Sequence, residues 1–309
     1  MPPPRRIICV GHSALDRTYR IEHFPAEPTK VRALEHVEAG GGMAANAAVA
    51  IARLGGKVEL WSRIGDDAAG QVIKAGLKAE RVDVRYVQSF DQTRSSTSAV
   101  IVDERGERLI VGQRDAGMPS STDWLPLERV RDAHAVLGDV RWLEGLRAVF
   151  SEARLHGVPT ILDADLGARE ALPDVLALTD YAIFSAAALR EFTSITDPAQ
   201  DLSGALQQVL DHGVLHAGVT LGREGYCWRE ANAMGAPLDG QVSAPHVDVI
   251  DTTGAGDAFH GAFTLMMAEG RSSRECATIA AEVAARKCTR LGSRAGLPRR
   301  AEIAALAAS

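Results

Sequence analysis

Short apolar runs alternate along this chain with amphipathic stretches of helical length. Ile7 to Val10 is a continuous apolar run of strand length. An Ala-rich helix from Ala44 to Leu54 follows and stops at Gly55-Gly56, and Val58 to Ser62 reads as a second strand. The rhythm returns with a strand at Ala135 to Leu137, a helix from Leu143 to His156 closed by Gly157, and strands at Thr160 to Asp163, Tyr181 to Phe184 and Gly218 to Leu221. Such alternation predicts an α/β fold: a mostly parallel sheet between two helical layers. The last third is helical, with Phe259, Ala262, Phe263 and Met266 on one stripe of Ala258 to Ala268, and a second helix from Arg274 to Cys288. Two stretches break the pattern. Tyr19 to Val37 scatters its apolar positions around Pro25 and Pro28, and Ser98 to Val111 reads as a hairpin about Glu104-Arg105-Gly106-Glu107. Strands with no helix between them do not join a parallel sheet easily. The expectation is a small β lid over the C-terminal edge of the main sheet, at approximately 16–40 and 96–117 of a single domain spanning 1–309.

Composition narrows the function classes. The 309 residues are 46% hydrophobic, enough for a full core, and 34 Lys and Arg against 40 Asp and Glu give a net charge of −6. The basic clusters are short, Arg5-Arg6 and Arg299-Arg300, and read as solvated ends, so nucleic acid is not an expected partner. No apolar run approaches the roughly 18 to 20 residues of a membrane span, and no signal peptide is evident. The four cysteines form no C-x-x-C pair and read as reduced, buried thiols of a cytoplasmic protein.

The chemistry concentrates in two segments. In Asp251-Thr252-Thr253-Gly254-Ala255-Gly256-Asp257, a Gly-Ala-Gly run opens an amphipathic helix, whose free N–H groups and dipole make a phosphate site. Asp257 in the first turn suits the helix dipole on its own account; beside a phosphate cradle it is also placed to take a proton from an attacking hydroxyl. Gly40-Gly41-Gly42 leads into another helix with Asn46 one turn in, which reads either as a flexible loop with a helix-face Asn or as a surface for close ligand approach. No G-x-G-x-x-G and no G-x-x-x-x-G-K-[ST] occurs, which argues against a nucleotide-dependent oxidoreductase and a P-loop NTPase.

Together the two segments resemble the PfkB, or ribokinase-like, carbohydrate kinases. The likeness extends over Gly11-His12-Ser13-Ala14-Leu15-Asp16, Arg63-Ile64-Gly65-Asp66-Asp67, Thr220-Leu221-Gly222-Arg223-Glu224-Gly225 and Gly292-Ser293-Arg294-Ala295-Gly296. It implies a ribokinase-like fold whose β lid carries substrate contacts, and ATP with Mg²⁺ as the phosphoryl donor. By position it makes Asp257 the catalytic base and Gly254, Ala255 and Gly256 the anion hole. Asp16, Gly41, Gly42 and Asn46 become contacts to sugar hydroxyls, and Thr220, Gly222 and Gly225, with Gly254 and Gly256, the nucleotide side. Asp251 and Thr253 match the loop that holds a monovalent cation, K⁺, in that family. The family's N-x-x-E motif is missing: Ser185-Ala186-Ala187-Ala188 stands in its place, leaving Mg²⁺ to arrive with ATP.

Within the family, Asp139-Val140-Arg141-Trp142 and Lys287-Cys288-Thr289-Arg290 with Arg294-Ala295-Gly296 are most similar to sulfofructose kinases. That resemblance implies 6-deoxy-6-sulfofructose, phosphorylated at its 1-hydroxyl. A guanidinium suits a sulfonate, and Arg141 is the candidate grip, with Lys30 and Gln113 completing the pocket; an ordinary salt bridge from Arg141 to Asp139 or Glu144 is the plain alternative. Fructose or another ketohexose, 2-keto-3-deoxygluconate and ribose are the other substrates weighed, and a non-catalytic sugar-binding regulator is the reading from another class. An exposed β lid also implies a homodimer.

Overall fold

The computed structural model describes residues 3–193 and 201–303. Its strands are β1 (Arg6–Gly11), β2 (Ala14–Arg20), β3 (Glu35–Gly41), β4 (Lys57–Gly65), β5 (Val87–Phe90), β6 (Ser96–Val102), β7 (Arg108–Gln113), β8 (Ala135–Asp139), β9 (Thr160–Ala164), β10 (Tyr181–Ser185), β11 (His216–Thr220), β12 (Tyr226–Glu230) and β13 (Leu238–Val242). The helices are α1 (Met43–Arg53), α2 (Ala68–Ala79), α3 (Leu143–His156), α4 (Leu172–Leu176), α5 (Ala186–Thr193), α6 (Leu202–Leu210), α7 (Ala255–Ala268) and α8 (Ser273–Lys287).

The main sheet runs β13-β12-β11-β10-β9-β8-β1-β4-β5. It is parallel from β5 to β11, and β12 and β13 add an antiparallel edge that the sequence pattern did not suggest. Strand β1 is apolar from Ile7 to Val10 because both faces of that stretch are covered. Ile7 and Cys9 enter a core formed with α1, α7 and α8, whereas Ile8 and Val10 enter a second core with α3, α5 and α6. Helix α3 ends where Gly157 takes a left-handed conformation at φ 65°. Helix α8 starts at Ser273, one residue before expectation, since Ser272 and Glu275 form a reciprocal capping box.

The two irregular stretches form a separate four-stranded sheet, β3-β2-β6-β7. The expected hairpin is β6–β7, with Val100 opposite Ile110. The first stretch contributes β2 and β3, which pair antiparallel from Ala14–Gly41 to Arg20–Glu35, and β2 also pairs in parallel with β6. One charge expectation changes: Arg300 is not a solvated end but bonds Glu269 at 2.7 and 3.0 Å and the Leu54 carbonyl at 3.2 Å. All four cysteines are buried and free, and among the described residues no helix is long and apolar enough to cross a membrane.

One buried carboxylate ties the elements together at the C-terminal edge of the main sheet. Asp139, at the end of β8, accepts the N–H of His12 beyond β1 (2.7 Å), of Ala44 in the first turn of α1 (3.0 Å) and of Arg141 (2.8 Å). An amide in its place offers one acceptor oxygen and turns a donor toward at least one of those N–H groups. Asp139→Asn is therefore expected to lower stability by about 1–3 kcal/mol, read as a reduced urea midpoint at constant slope. An unchanged midpoint would show that the three contacts are dispensable.

Candidate active site

Above this carboxylate a groove of about 270 Å³ runs between the main sheet and the second sheet. Asp16, Gly42, Asn46, Thr253, Gly254 and Asp257 line one end. Asp257 lies in the first turn of α7, whose N-cap is Gly254 at φ 78°; a side chain there would also meet the Ser293 carbonyl at 2.8 Å. Asn46 Nδ2 donates to Asp257 Oδ2 at 2.7 Å, and Arg294 Nε donates to Asn46 Oδ1 at 2.7 Å. Arg294 has only donors, so it forces the oxygen of Asn46 toward itself and the amide nitrogen toward Asp257. The arginine, which also bonds the Gly41 carbonyl at 3.1 Å, is buried. Burial pushes the Asp257 carboxyl up to about 7, with the nearby Asp163 adding to it and the Asn46 hydrogen bond opposing.

The N-terminal glycines serve this corner sterically. A β-carbon at Gly41 would fall on the Asp16 carboxylate, and Gly42, at φ 92°, turns β3 into α1 against the backbone of His12 and Ser13. Asp16 is buried and bonded to Ser98, and burial raises its carboxyl above the ordinary range. The three residues expected to form the anion hole differ in their backbone bonding. The Ala255 N–H closes a turn onto the Thr252 carbonyl at 3.2 Å, so the first-turn amides left for an anion are those of Gly256 and Asp257.

The far end of the groove is cationic. Arg114 and Arg141 border both the groove and a smaller cavity of about 140 Å³, where Arg63 joins them. Each guanidinium comes from a different element: Arg63 from the end of β4, Arg114 from just beyond β7, Arg141 from just beyond β8. Arg63 lies 4.4 Å from the Trp142 ring centroid and donates to the Pro119 carbonyl at 2.6 Å, which holds it in place. The Arg141 guanidinium donates to Asp165 at 2.9 Å and to the Leu166 carbonyl at 2.7 Å, so the salt bridge it forms is with Asp165 rather than with Asp139 or Glu144. The one carboxylate in the smaller cavity, Asp115, is taken up by the N–H groups of Arg94 and Gly117. Two buried polar atoms find no partner among the described residues, His12 Nε2 and the Thr253 hydroxyl, and both residues line the groove. Unpaired atoms of this kind are expected where a polar ligand completes the bonding.

The remaining expectations divide. Gln113 borders the groove, while Lys30 sits exposed in the connection between β2 and β3 and borders neither cavity. Thr220 ends β11, and Gly222 and Gly225 flank a single helical turn beyond it, on the same sheet edge but outside both cavities. At the place of the missing N-x-x-E motif, Ser185 bonds Asp165 at 3.0 Å, and the following alanines supply no metal ligand. No group of three or more His, Cys, Asp or Glu suited to a metal exists among the described residues. Every oxygen of Asp251 is already engaged: its carboxylate accepts the N–H of Thr253 (2.8 Å) and Gly292 (2.7 Å), and its carbonyl accepts from Lys287 Nζ (2.6 Å). Sequence reasoning missed Arg63, Arg114, His12 and Lys287; an arginine at the C-terminal end of a parallel strand was the one available signal.

Comparison with known proteins agrees with this geometry. A family model described as pfkB family carbohydrate kinase matches residues 4–300. The fructokinase of Vibrio alginolyticus is 31% identical over 236 residues, 72% of this chain and 74% of that one. A solved structure from Agrobacterium tumefaciens superimposes with a TM-score of 0.90 at 34% identity, covering 97% of this chain and 96% of its own. Arabidopsis thaliana ribokinase complexed with ribose and ATP superimposes with a TM-score of 0.83 at 27% identity over 98% of both chains.

The raised Asp257 carboxyl has a cost in stability. Its folded value lies above the unfolded one, so its contribution is complete below about pH 4 and is lost as pH rises through 7, up to roughly 4 kcal/mol. Asp257→Asn should therefore melt higher than the parent chain at pH 8, with the gap closing by pH 4, while turnover of any substrate is lost. Equal melting across that range would mean the carboxylate is not strained by its burial.

Proposed function

The chain belongs to the pfkB family of carbohydrate kinases, and from that premise we propose that it transfers the γ-phosphoryl group of ATP to the 1-hydroxyl of 6-deoxy-6-sulfofructose. The observation that supports this choice within the sugar kinases is the three-arginine cavity at one end of the groove. A sulfonate is a fixed anion with three acceptor oxygens, and guanidinium groups from three directions match it. With the sulfonate at Arg63, Arg114 and Arg141, the ring hydroxyls lie toward Asp16 and Asn46, and the opposite end of the ketose reaches Asp257.

Asp257 Oδ2 is engaged by Asn46, so Oδ1 takes the proton from the 1-hydroxyl as its oxygen attacks the γ-phosphorus and the bond to the β,γ-bridging oxygen breaks. A carboxyl near pH 7 is suited to that transfer. The N–H groups of Gly256 and Asp257, with the α7 dipole, face the charge that builds on the transferred group. Mg²⁺ would enter as part of the nucleotide substrate and neutralise charge on its phosphates. Closure of the second sheet over the sugar would exclude water and suppress ATP hydrolysis.

A second reading is a neutral sugar. Proteins similar to this chain are named ribokinase and fructokinase, and nothing at Asp257 or Asn46 discriminates among primary alcohols. Coupled ADP assays on 6-deoxy-6-sulfofructose, fructose, fructose 6-phosphate, 2-keto-3-deoxygluconate and ribose separate the two. Preference for the sulfonated sugar is expected, and Arg141→Ala should cut its kcat/KM by about 10- to 100-fold with little change on fructose. Equal losses on both sugars, or best turnover on ribose, would remove the sulfonate assignment.

The chain is also proposed to pair with a second copy along the second sheet. Strand β7 is an open edge whose Leu109, Ile110 and Val111 are about half exposed, and edge-to-edge pairing would cover them. Light scattering should give the mass of two chains, and Val111→Lys should give the mass of one. A monomeric parent chain would contradict the pairing.

A further inference from the structure

Lys287 is the most unusual charge in the molecule. It lies in the last turn of α8 with no exposed surface, and its ammonium bonds the Asp251 carbonyl at 2.6 Å. A buried ammonium is costly unless its position is filled by compensating charge and acceptors. Here the compensation is the buried Asp251 carboxylate, itself fixed by the N–H groups of Thr253 and Gly292. The loop from 251 to 254 leads straight into Gly254 and the first turn of α7, where Asp257 sits. Arg108, from β7, approaches the same loop and bonds the Thr252 hydroxyl. This is the loop where the sequence resemblance placed a monovalent cation, and the donor set does not fit one. The Asp251 carboxylate oxygens already accept backbone amides, its carbonyl already accepts the Lys287 ammonium, and a second cation would meet the charges of Lys287 and Arg108.

We propose that the Lys287 ammonium is a tethered monovalent cation: it takes the place of K⁺ beneath the anion-binding turn, so that the kinase works without K⁺. An ammonium group and K⁺ have similar size and charge, and both are satisfied by carbonyl oxygens. Tethering on α8 makes the ion permanent and removes its concentration dependence. The proposal rests on the family's chemistry alone and is independent of which sugar is used.

The test compares KCl with tetramethylammonium chloride at equal ionic strength, by thermal melting without substrate and by ATP turnover with whichever sugar is accepted. The parent chain should melt within about 1 °C in the two salts and turn over within about twofold. Lys287→Met should lose more than tenfold in turnover in tetramethylammonium, melt lower, and regain part of both in KCl or NH₄Cl. Folding of that variant only when K⁺ or NH₄⁺ is present would support the proposal equally. A parent chain that K⁺ activates tenfold or stabilises by several degrees would overturn it, as would a Lys287→Met chain indifferent to the salt. If Lys287→Met folds in no salt, Lys287→Arg decides: retained K⁺-independence supports a tethered cation, and acquired K⁺ dependence overturns it. A chain that turns over no sugar leaves the melting comparison to decide the point, so failure of the sulfofructose reading and failure of this one are distinguishable.

Discussion

Three backbone segments meet at the Asp139 carboxylate, and the geometry of the groove depends on that meeting. The N–H groups of His12, Ala44 and Arg141 belong to the ends of β1 and β8 and the start of α1, which are far apart in sequence. A carboxylate is the smallest group that can accept all three at once without supplying a donor of its own. The consequence reaches both ends of the site. Fixing Ala44 fixes the first turn of α1, and with it Asn46; fixing Arg141 fixes the approach of its guanidinium to Asp165. Gly11 follows from the same constraint, since a β-carbon there would fall on the Asp139 carboxylate.

Around that anchor, acidic groups accumulate in a region of little solvent. Asp163 is buried and raised well above the usual carboxylate range, first by desolvation and then by Asp165 and Asp139. His260, one turn along α7 from Asp257, places Nε2 3.4 Å from Asp163 and Nδ1 2.7 Å from the Gly256 carbonyl. Burial lowers its affinity for a proton. Its two ring nitrogens face the Gly256 and Ile183 carbonyls, and Asp257 is the carboxyl of this group that burial brings to about 7. Arg294 supplies the permanent positive charge behind it through Asn46, and burial lowers that guanidinium only to about 10, so it stays charged. The site is destabilising by construction and is tolerated because two extensive cores surround it.

Much of this was legible from the chain itself. The apolar run at Ile7 to Val10, the helices ending at Gly55 and Gly157 and the hairpin at Ser98 to Val111 follow local rules of period and turn chemistry, and the structure contains them. Asp257, Gly254 and Asn46 come together as the two glycine-rich segments implied. What stayed hidden was long-range. Strands β12 and β13 mix polar residues and glycine into an edge, so they carry no strong apolar pattern. Arg63 and Arg114 look like ordinary surface arginines until the fold gathers them around one cavity with Arg141, which the resemblance had singled out. Lys287 follows Arg286 at the end of a helix, where two cations already have a sufficient reason in the helix dipole, so nothing in the sequence marks one of them as buried. Lys30 shows the opposite error: a cation in the right segment that the structure leaves outside the site.

The distribution of charge along the groove carries a last argument, about direction. One end holds Asp16 and Asp257; the other holds Arg63, Arg114 and Arg141, with Asp165 paired to the last, an excess of positive charge. An elongated substrate with an anion at one terminus and a hydroxyl at the other has one favourable orientation in such a field, because reversing it sets the anion against two buried carboxyls. Orientation of this kind suppresses phosphorylation of the wrong hydroxyl without any contact to the ring. It also bears on the product. In the proposed reaction the product carries an anion at each end, the new one beside the Gly256 and Asp257 N–H groups at the start of α7 and the other at the arginines. A neutral sugar would lack the first advantage and would depend on Asp16 and Asn46 alone for its alignment.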